Sequence, residues 1–245
     1  MMKNKKQGNI MNQYFNKMAL TIMCSSMLLL SACGDGGDDF IFVSDKKTFN
    51  VDADVKNVVN VHDVFTYTMP SVAKKDIKAT TLVFIPKGVA PVGGWPVVVW
   101  AHGTTGAADQ CAPSRNVLDG LEKDLIIALV KKGYAVVAPD YEGLGNNNIS
   151  HPYLNLTSAA QSILFAVLEV NKKYDNLSKN WSVIGWSQGG HAALAAAEFN
   201  KALLGYNFKG TVAIAPASYL ADTLDFGRKV ANDTAAAGDL TTATT

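Results

Sequence analysis

The sequence predicts an α/β fold, a mostly parallel sheet with flanking helices, and three observations carry that prediction. A short, unbroken apolar run lies at residues 96–101 (PVVVWA), and further short, largely apolar strands recur at 134–138, 181–185 and 211–215. Runs of this length suit strands buried on both faces, as parallel strands are. Segments with helical spacing lie between them, and strand–helix alternation implies right-handed crossovers onto one sheet. Third, one apolar run passes through a single serine straight into an alanine-rich segment, residues 188–204. With 245 residues, 48% of them hydrophobic and 18% charged, the chain has the means to bury one sizeable core.

The elements follow in order. Residues 55–69 are rich in β-branched and aromatic side chains and read as one or two strands. Residues 77–85 (IKATTLVFI) are the next strand, stopped by Pro86-Lys87-Gly88. The turns joining these opening strands are too short for a helix, so they should pair antiparallel. The buried run 96–101 comes next, then a helix over 124–132 closed by Gly133 at its C-terminal position. The strand 134–138 leads into the glycine-rich turn Asp140-Tyr141-Glu142-Gly143-Leu144-Gly145. An amphipathic helix over 157–174, the strand 181–185, the helix 188–204 and the strand 211–215 complete the pattern.

The N-terminus is read separately. Lys3, Lys5, Lys6 and Lys17 precede an apolar run over 18–30 that ends Leu30-Ser31-Ala32-Cys33. A basic region, a short apolar stretch and small residues make a secretory signal, shorter than a membrane span needs. The ending has the form of a bacterial lipobox, which would make residues 1–32 a lipoprotein signal and Cys33 the lipidated first residue of an exported, membrane-anchored protein. The stretch 33–44, with Gly34-Asp35-Gly36-Gly37-Asp38-Asp39, reads as a tether and 45–245 as the folded domain. Without residues 1–32, 18 Lys+Arg face 21 Asp+Glu. That mildly acidic balance gives no reason to expect nucleic acid as a partner.

The chemistry is carried by glycine-rich junctions. Gly185-Trp186-Ser187-Gln188-Gly189 is a G-x-S-x-G placed between a strand and a helix. Such a turn holds its serine in a strained conformation, with glycines either side to let the backbones pass. Ser187 is therefore the expected nucleophile. Its Oγ would sit at a helix N-terminus, where free N–H groups favour developing negative charge. After the strand 96–101 comes His102-Gly103-Thr104-Thr105-Gly106, a loop suited to donate one backbone N–H to an oxyanion. Thr104 is the expected donor, with Thr105 and Gly106 next, and Gln188 follows the nucleophile in the position of the second. His102 is expected to pin the loop by hydrogen bonds. No metal-ligand spacing or dinucleotide fingerprint is present, so no metal or cofactor is expected.

Four ordered motifs, Ala101-His102-Gly103-Thr104-Thr105-Gly106, Cys111-Ala112-Pro113-Ser114, Ala138-Pro139-Asp140-Tyr141-Glu142-Gly143-Leu144-Gly145 and Gly185-Trp186-Ser187-Gln188-Gly189-Gly190-His191, resemble the secretory lipase family, whose architecture is that of Candida-type lipase A. The resemblance covers about residues 75–225. It implies an α/β-hydrolase fold with a helical lid, hydrolysis of carboxylic esters including acylglycerols, and an acyl-enzyme on Ser187. It further implies that Cys111 can pair with a cysteine further along the chain.

One departure stands out. In this class the order is nucleophile, acid, histidine, and 58 residues follow Ser187, with His191 the one histidine among them. His191 lies one turn along the helix that the serine should point away from, and His62 and His151 precede the nucleophile. Asp222 and Asp225 follow the strand 211–215 but read as lid-helix surface residues, and Asp140 as the organiser of its own turn. The expectation is that the acid and the base lie beyond residue 245, with the last strands and most of the lid. Two alternatives remain open: a feruloyl, short-chain esterase or peptidase activity on the same scaffold, and a non-catalytic surface lipoprotein that keeps the fold for binding.

Overall fold

A computed structural model describes residues 49, 51–145 and 149–236. Two units are distinguished, a body reaching to Ser218 and a second unit whose described part starts at Tyr219. In the body, helix α1 (Ala53–Val58) is followed by β1 (Val59–Pro70), β2 (Asp76–Pro86), β3 (Trp95–Ala101), α2 (Gly120–Lys131), β4 (Ala135–Pro139), α3 (Leu156–Lys173), β5 (Leu177–Trp186), α4 (Gln188–Phe199) and β6 (Asn207–Ile214). The second unit contains α5 (Leu220–Ala236), on which Leu224 and Phe226 are exposed.

The six strands form one sheet in the order β1-β2-β4-β3-β5-β6. β1 and β2 pair antiparallel through a tight turn in which the Ser71 N–H donates to the Lys75 carbonyl at 2.8 Å. β2 pairs antiparallel with β4, and β4, β3, β5 and β6 run parallel. The strand order doubles back at β3, so the β3 and β5 carboxyl ends lie side by side, the place where open α/β sheets put their sites.

Alternation along each strand sorts the core. Val83, Ile85, Val97, Val99, Ala135, Val137, Trp181 and Val183 belong to one buried cluster with residues of α3 and α4. Leu82, Phe84, Trp100, Val136 and Ala138 belong to the other, with Val55 of α1 and Ile126 and Val130 of α2. Side chains two residues apart share a face, so the continuous apolar runs serve both clusters at once.

β5 and β6 start four residues earlier than the sequence reading, at Leu177 and Asn207, and β6, expected to be buried, is half exposed; three further boundaries differ. The stretch 53–58 is a helix, which takes in residues 55–58 where a strand was expected. Asp52 caps it by accepting from the Val55 N–H at 3.3 Å, and Val55 is fully buried against the second cluster. Capping and burial outweigh β propensity there. α2 starts at Gly120 rather than 124 and ends as expected, with Gly133 at φ 83°. The last helical turn after Phe199 tightens into a 3-10 turn, Asn200–Ala202.

Candidate active site

β5 ends at Trp186 and α4 begins at Gln188, leaving Ser187 alone to make the turn. It does so at φ 54° and ψ −116°, a region that non-glycine residues rarely occupy and that costs roughly 1–3 kcal/mol. The surroundings impose this conformation. The Ser187 N–H donates to the Ile214 carbonyl at 2.9 Å, and its own carbonyl accepts from the N–H groups of His191 (3.1 Å) and Ala217 (3.2 Å). Its hydroxyl makes no capping bond to the helix it precedes.

The two flanking glycines are required by contact. A Cβ on Gly185 would stand 2.0 Å from the Gly189 carbonyl oxygen, and one on Gly189 would stand 1.8 Å from the Ala101 carbonyl oxygen. α4 therefore enters against bare backbone at the end of β3. The same approach brings the loop after β3 alongside the elbow, where Gly103 packs under the Trp186 ring. Thr104 and Gln188, the two expected oxyanion donors, thus stand on the two chain segments that meet beside Ser187.

His102 lies beneath this loop. It is 2% exposed, its ring stacks on Tyr141 with centroids 4.2 Å apart, and its Nδ1 is 2.6 Å from the Gly103 carbonyl. Since a carbonyl only accepts, Nδ1 carries the proton. Burial holds the ring's pKa down to about 4, so His102 is neutral near pH 7. The Tyr141 hydroxyl donates to the His102 carbonyl at 2.8 Å. As expected from the sequence, this histidine is tied into hydrogen bonds of its own loop.

Residues of the turn after β4 are more deeply engaged than the sequence suggested. Asp140, expected to organise its own turn, instead accepts from the Ser114 N–H (3.1 Å) and hydroxyl (2.5 Å). It thereby fixes the Cys-Ala-Pro-Ser segment, in which Cys111 is buried. Burial pushes the Asp140 carboxyl up to about 7 against the pull of those two bonds. Glu142, 2% exposed, accepts from the Val72 N–H (3.1 and 3.2 Å) and the Ser158 hydroxyl (2.7 Å). It joins the β1–β2 turn to α3, and its partners satisfy a carboxylate that would otherwise be costly to bury.

His151, which precedes the nucleophile in the chain, meets the residue after it. Its Nδ1 is 2.6 Å from the Glu142 carbonyl, and its Nε2 is 2.9 Å from the Gln188 side-chain nitrogen. Nothing in the local sequence marked this contact, because the partners lie 37 residues apart. His191 borders a small internal cavity of about 10 Å³ together with His151, Gln188 and Ser158. Ser187 does not line that cavity. His62 is exposed on edge strand β1. In the second unit, Asp222 and Asp225 are exposed on α5, and Asp225 accepts from Arg228 at 3.1 Å. Cys33 and the signal and tether expected over 1–44 lie outside the described residues.

An open cleft of about 500 Å³ adjoins the other side of the loop, lined by Trp100, Thr104, Leu121, Leu125, Trp186 and Ile214. Glu122 is the one acidic residue of its lining and accepts from the Trp100 indole N–H at 2.6 Å, while burial raises its carboxyl pKa. Among the described residues no group of three or more His, Cys, Asp or Glu could hold a metal ion.

Residues 110–223 match the family described as secretory lipase. No curated protein sequence matches the chain. Among solved structures, Candida antarctica lipase A in its closed state is 18% identical, with a TM-score of 0.51 over 68% of this chain and 45% of that one. The rice cell wall degrading esterase LipA from Xanthomonas oryzae is 29% identical, with a TM-score of 0.49 over 62% of this chain and 41% of that one. The chain thus spans about two fifths of the length of that esterase. Residues 110–223, just under half of the chain, are thus similar to the secretory lipase family, and the fold is the α/β-hydrolase fold.

Proposed function

We propose that this chain carries the nucleophile and oxyanion machinery of a serine carboxylic-ester hydrolase, a lipase or esterase of exported type. The observation that carries the reading is Ser187 alone in a strained turn between β5 and α4, with its hydroxyl left out of helix capping. In the reaction, Ser187 Oγ attacks the ester carbonyl carbon and its proton passes to a base. The backbone N–H of Gln188 and one from Thr104, Thr105 or Gly106 hold the oxyanion. The tetrahedral intermediate expels the alcohol, and water then hydrolyses the acyl-serine to free acid. None of the described histidines is assigned as the base. His102 and His151 are engaged in the bonds given above, His191 borders a cavity that Ser187 does not line, and His62 stands on the far edge strand.

Acylglycerols and other apolar esters are the proposed substrates, on the strength of the secretory lipase match. The test is hydrolysis of p-nitrophenyl esters together with labelling by a fluorophosphonate probe, before and after Ser187→Ala. The substitution should abolish both, since acyl transfer cannot bypass its nucleophile. Hydrolysis that is unchanged in Ser187→Ala overturns Ser187 as the nucleophile, whereas a parent that neither hydrolyses the esters nor takes the label favours a non-catalytic binding role.

Export and anchoring through Cys33 form part of the proposal and rest on the sequence Leu30-Ser31-Ala32-Cys33. Fatty-acid labelling in a bacterial host should mark the protein, and Cys33→Ala should remove the mark. Label that persists in Cys33→Ala excludes this anchor.

A further inference from the structure

We infer that His151 is a positioning residue that sets both halves of the oxyanion site at once: it holds the side chain of Gln188 directly and, through Tyr141 and Tyr153, holds the loop carrying Thr104. The inference deepens the proposed function and rests on the oxyanion roles given there to Gln188 and Thr104.

The argument starts from proton inventory. Nδ1 of His151 faces the Glu142 carbonyl at 2.6 Å, and a carbonyl offers no proton, so Nδ1 donates. In a neutral ring Nε2 then has only a lone pair to offer. The nitrogen 2.9 Å away is the Gln188 side-chain amide, which donates into that lone pair. The neutral ring is the form burial favours, since desolvation lowers the His151 pKa. Donor and acceptor assignments are therefore forced at both ends.

The ring is also fixed in place. Tyr141 stacks on one side with centroids 6.2 Å apart and planes 10° apart, and Tyr153 meets it edge-on at 6.0 Å. Its backbone lies so close to Gly143 that a Cβ there would stand 2.5 Å from the His151 nitrogen. The two tyrosines then reach the opposite half of the site. The Tyr141 hydroxyl donates to the His102 carbonyl at 2.8 Å, and the Tyr153 hydroxyl is 3.0 Å from Thr104 Oγ1. One imidazole thus stands between the first residue of α4 and the loop after β3. Loss of its Nε2 lone pair would leave the Gln188 amide donor, on a side chain 4% exposed, without its partner.

Two readouts independent of catalysis test the inference, and a third links it to chemistry. In the ¹⁵N-histidine-labelled full chain, His151 should show the Nδ1–H tautomer near neutral pH. The Nε2–H tautomer overturns the proposal, and this measurement needs no variant. In His151→Phe, which keeps a ring between the tyrosines, hydrogen exchange of the Gln188 side-chain amide protons should quicken roughly three- to tenfold, the worth of one hydrogen bond. Exchange across β1 and β2 should stay at its parent rate. Equal quickening throughout the sheet, or none at the Gln188 side-chain amide, overturns positioning. Where the chain hydrolyses an ester through Ser187, His151→Phe should lower kcat by a similar factor and leave KM within about twofold, because oriented oxyanion donors act on the transition state. A parent chain whose hydrolysis ignores Ser187→Ala defeats the catalytic reading alone. The tautomer and the exchange rates still decide the role of His151.

Discussion

On the face of the sheet covered by α3 and α4, Trp181, Val183 and Val99 are sealed against Ala192, Ala193 and Ala196. On the face covered by α1 and α2, burial is complete over β2 and β4 but fades toward β5 and β6, where Trp186, Val212 and Ile214 are 45%, 52% and 47% exposed. The first face is closed by small residues, since alanines and glycines let α4 approach the strands until backbone touches backbone. The second is filled by large side chains that stop short of β6 and leave the cleft beside Trp186. The difference teaches where this molecule has spent its packing precision. The closed face fixes the conformation of Ser187, whereas the open face leaves apolar surface that parallel sheets ordinarily keep covered.

The strongest way to break this comparison is to crowd each face by one methyl. Gly189→Ala puts a Cβ 1.8 Å from the Ala101 carbonyl oxygen, a wall of backbone that cannot rotate away. It should cost more than about 4 kcal/mol, or prevent folding, in urea unfolding. Gly103→Ala meets the edge of the half-exposed Trp186 ring at 2.8 Å. That ring can swing aside, so about 1–2 kcal/mol is expected. Equal costs at the two sites would refute the contrast.

Truncation sharpens the same point. Trp181 is 1% exposed and packs on Phe208 with centroids 4.6 Å apart, so Trp181→Ala should cost about 3–5 kcal/mol. Trp186→Ala, on the open face, should cost less than about 1 kcal/mol in the same assay.

The buried ionisable groups make a third test. The Asp140 pKa is raised to about 7, so in the folded state its neutral form is favoured. Its contribution to stability is full below pH 3.8 and is lost as pH rises through 7. His102, lowered to about 4, contributes fully above pH 6.5 and loses its contribution as pH falls toward 4. Between pH 4 and 6.5 the two slopes oppose each other. Asp140→Asn, which still fits between the Ser114 N–H and hydroxyl, should expose the histidine slope, so that thermal stability rises with pH over that interval. A flat profile in Asp140→Asn would show that burial perturbs His102 less than its environment implies.

The smallest effect is expected at the open edge. Val212→Thr removes apolar surface from a half-exposed site and should change stability by no more than about 0.5 kcal/mol. A cost near that of Trp181→Ala would mean that this face is covered in solution.

Much of the architecture was legible in the chain because it is written in local periods. Residues 96–101 read as a two-sided buried strand and 134–138 as a strand, and they are β3 and β4, while residues 157–174 read as a helix and are α3 within one residue at each end. The antiparallel opening followed from turn length and the parallel remainder from strand–helix alternation. The reading failed at 55–58, where a single N-cap and the burial of Val55 reversed a β-branched propensity. At the site, the turn geometry of Ser187 was legible from two glycines and a strand–helix junction, since no other local pattern packs a helix so hard against its own strand.

What the sequence determined by itself is therefore the order of elements and the strained turn, both of which depend on residues within a few positions of one another. Tertiary structure alone decided that Asp140 binds Ser114 rather than its own turn, that Glu142 reaches Val72 and Ser158, and that His151 meets Gln188. Each of these bonds joins polar groups that the sheet order brings together across 16 to 70 residues of chain. A buried donor needs an acceptor, but its own neighbours in sequence do not say which one the fold will bring.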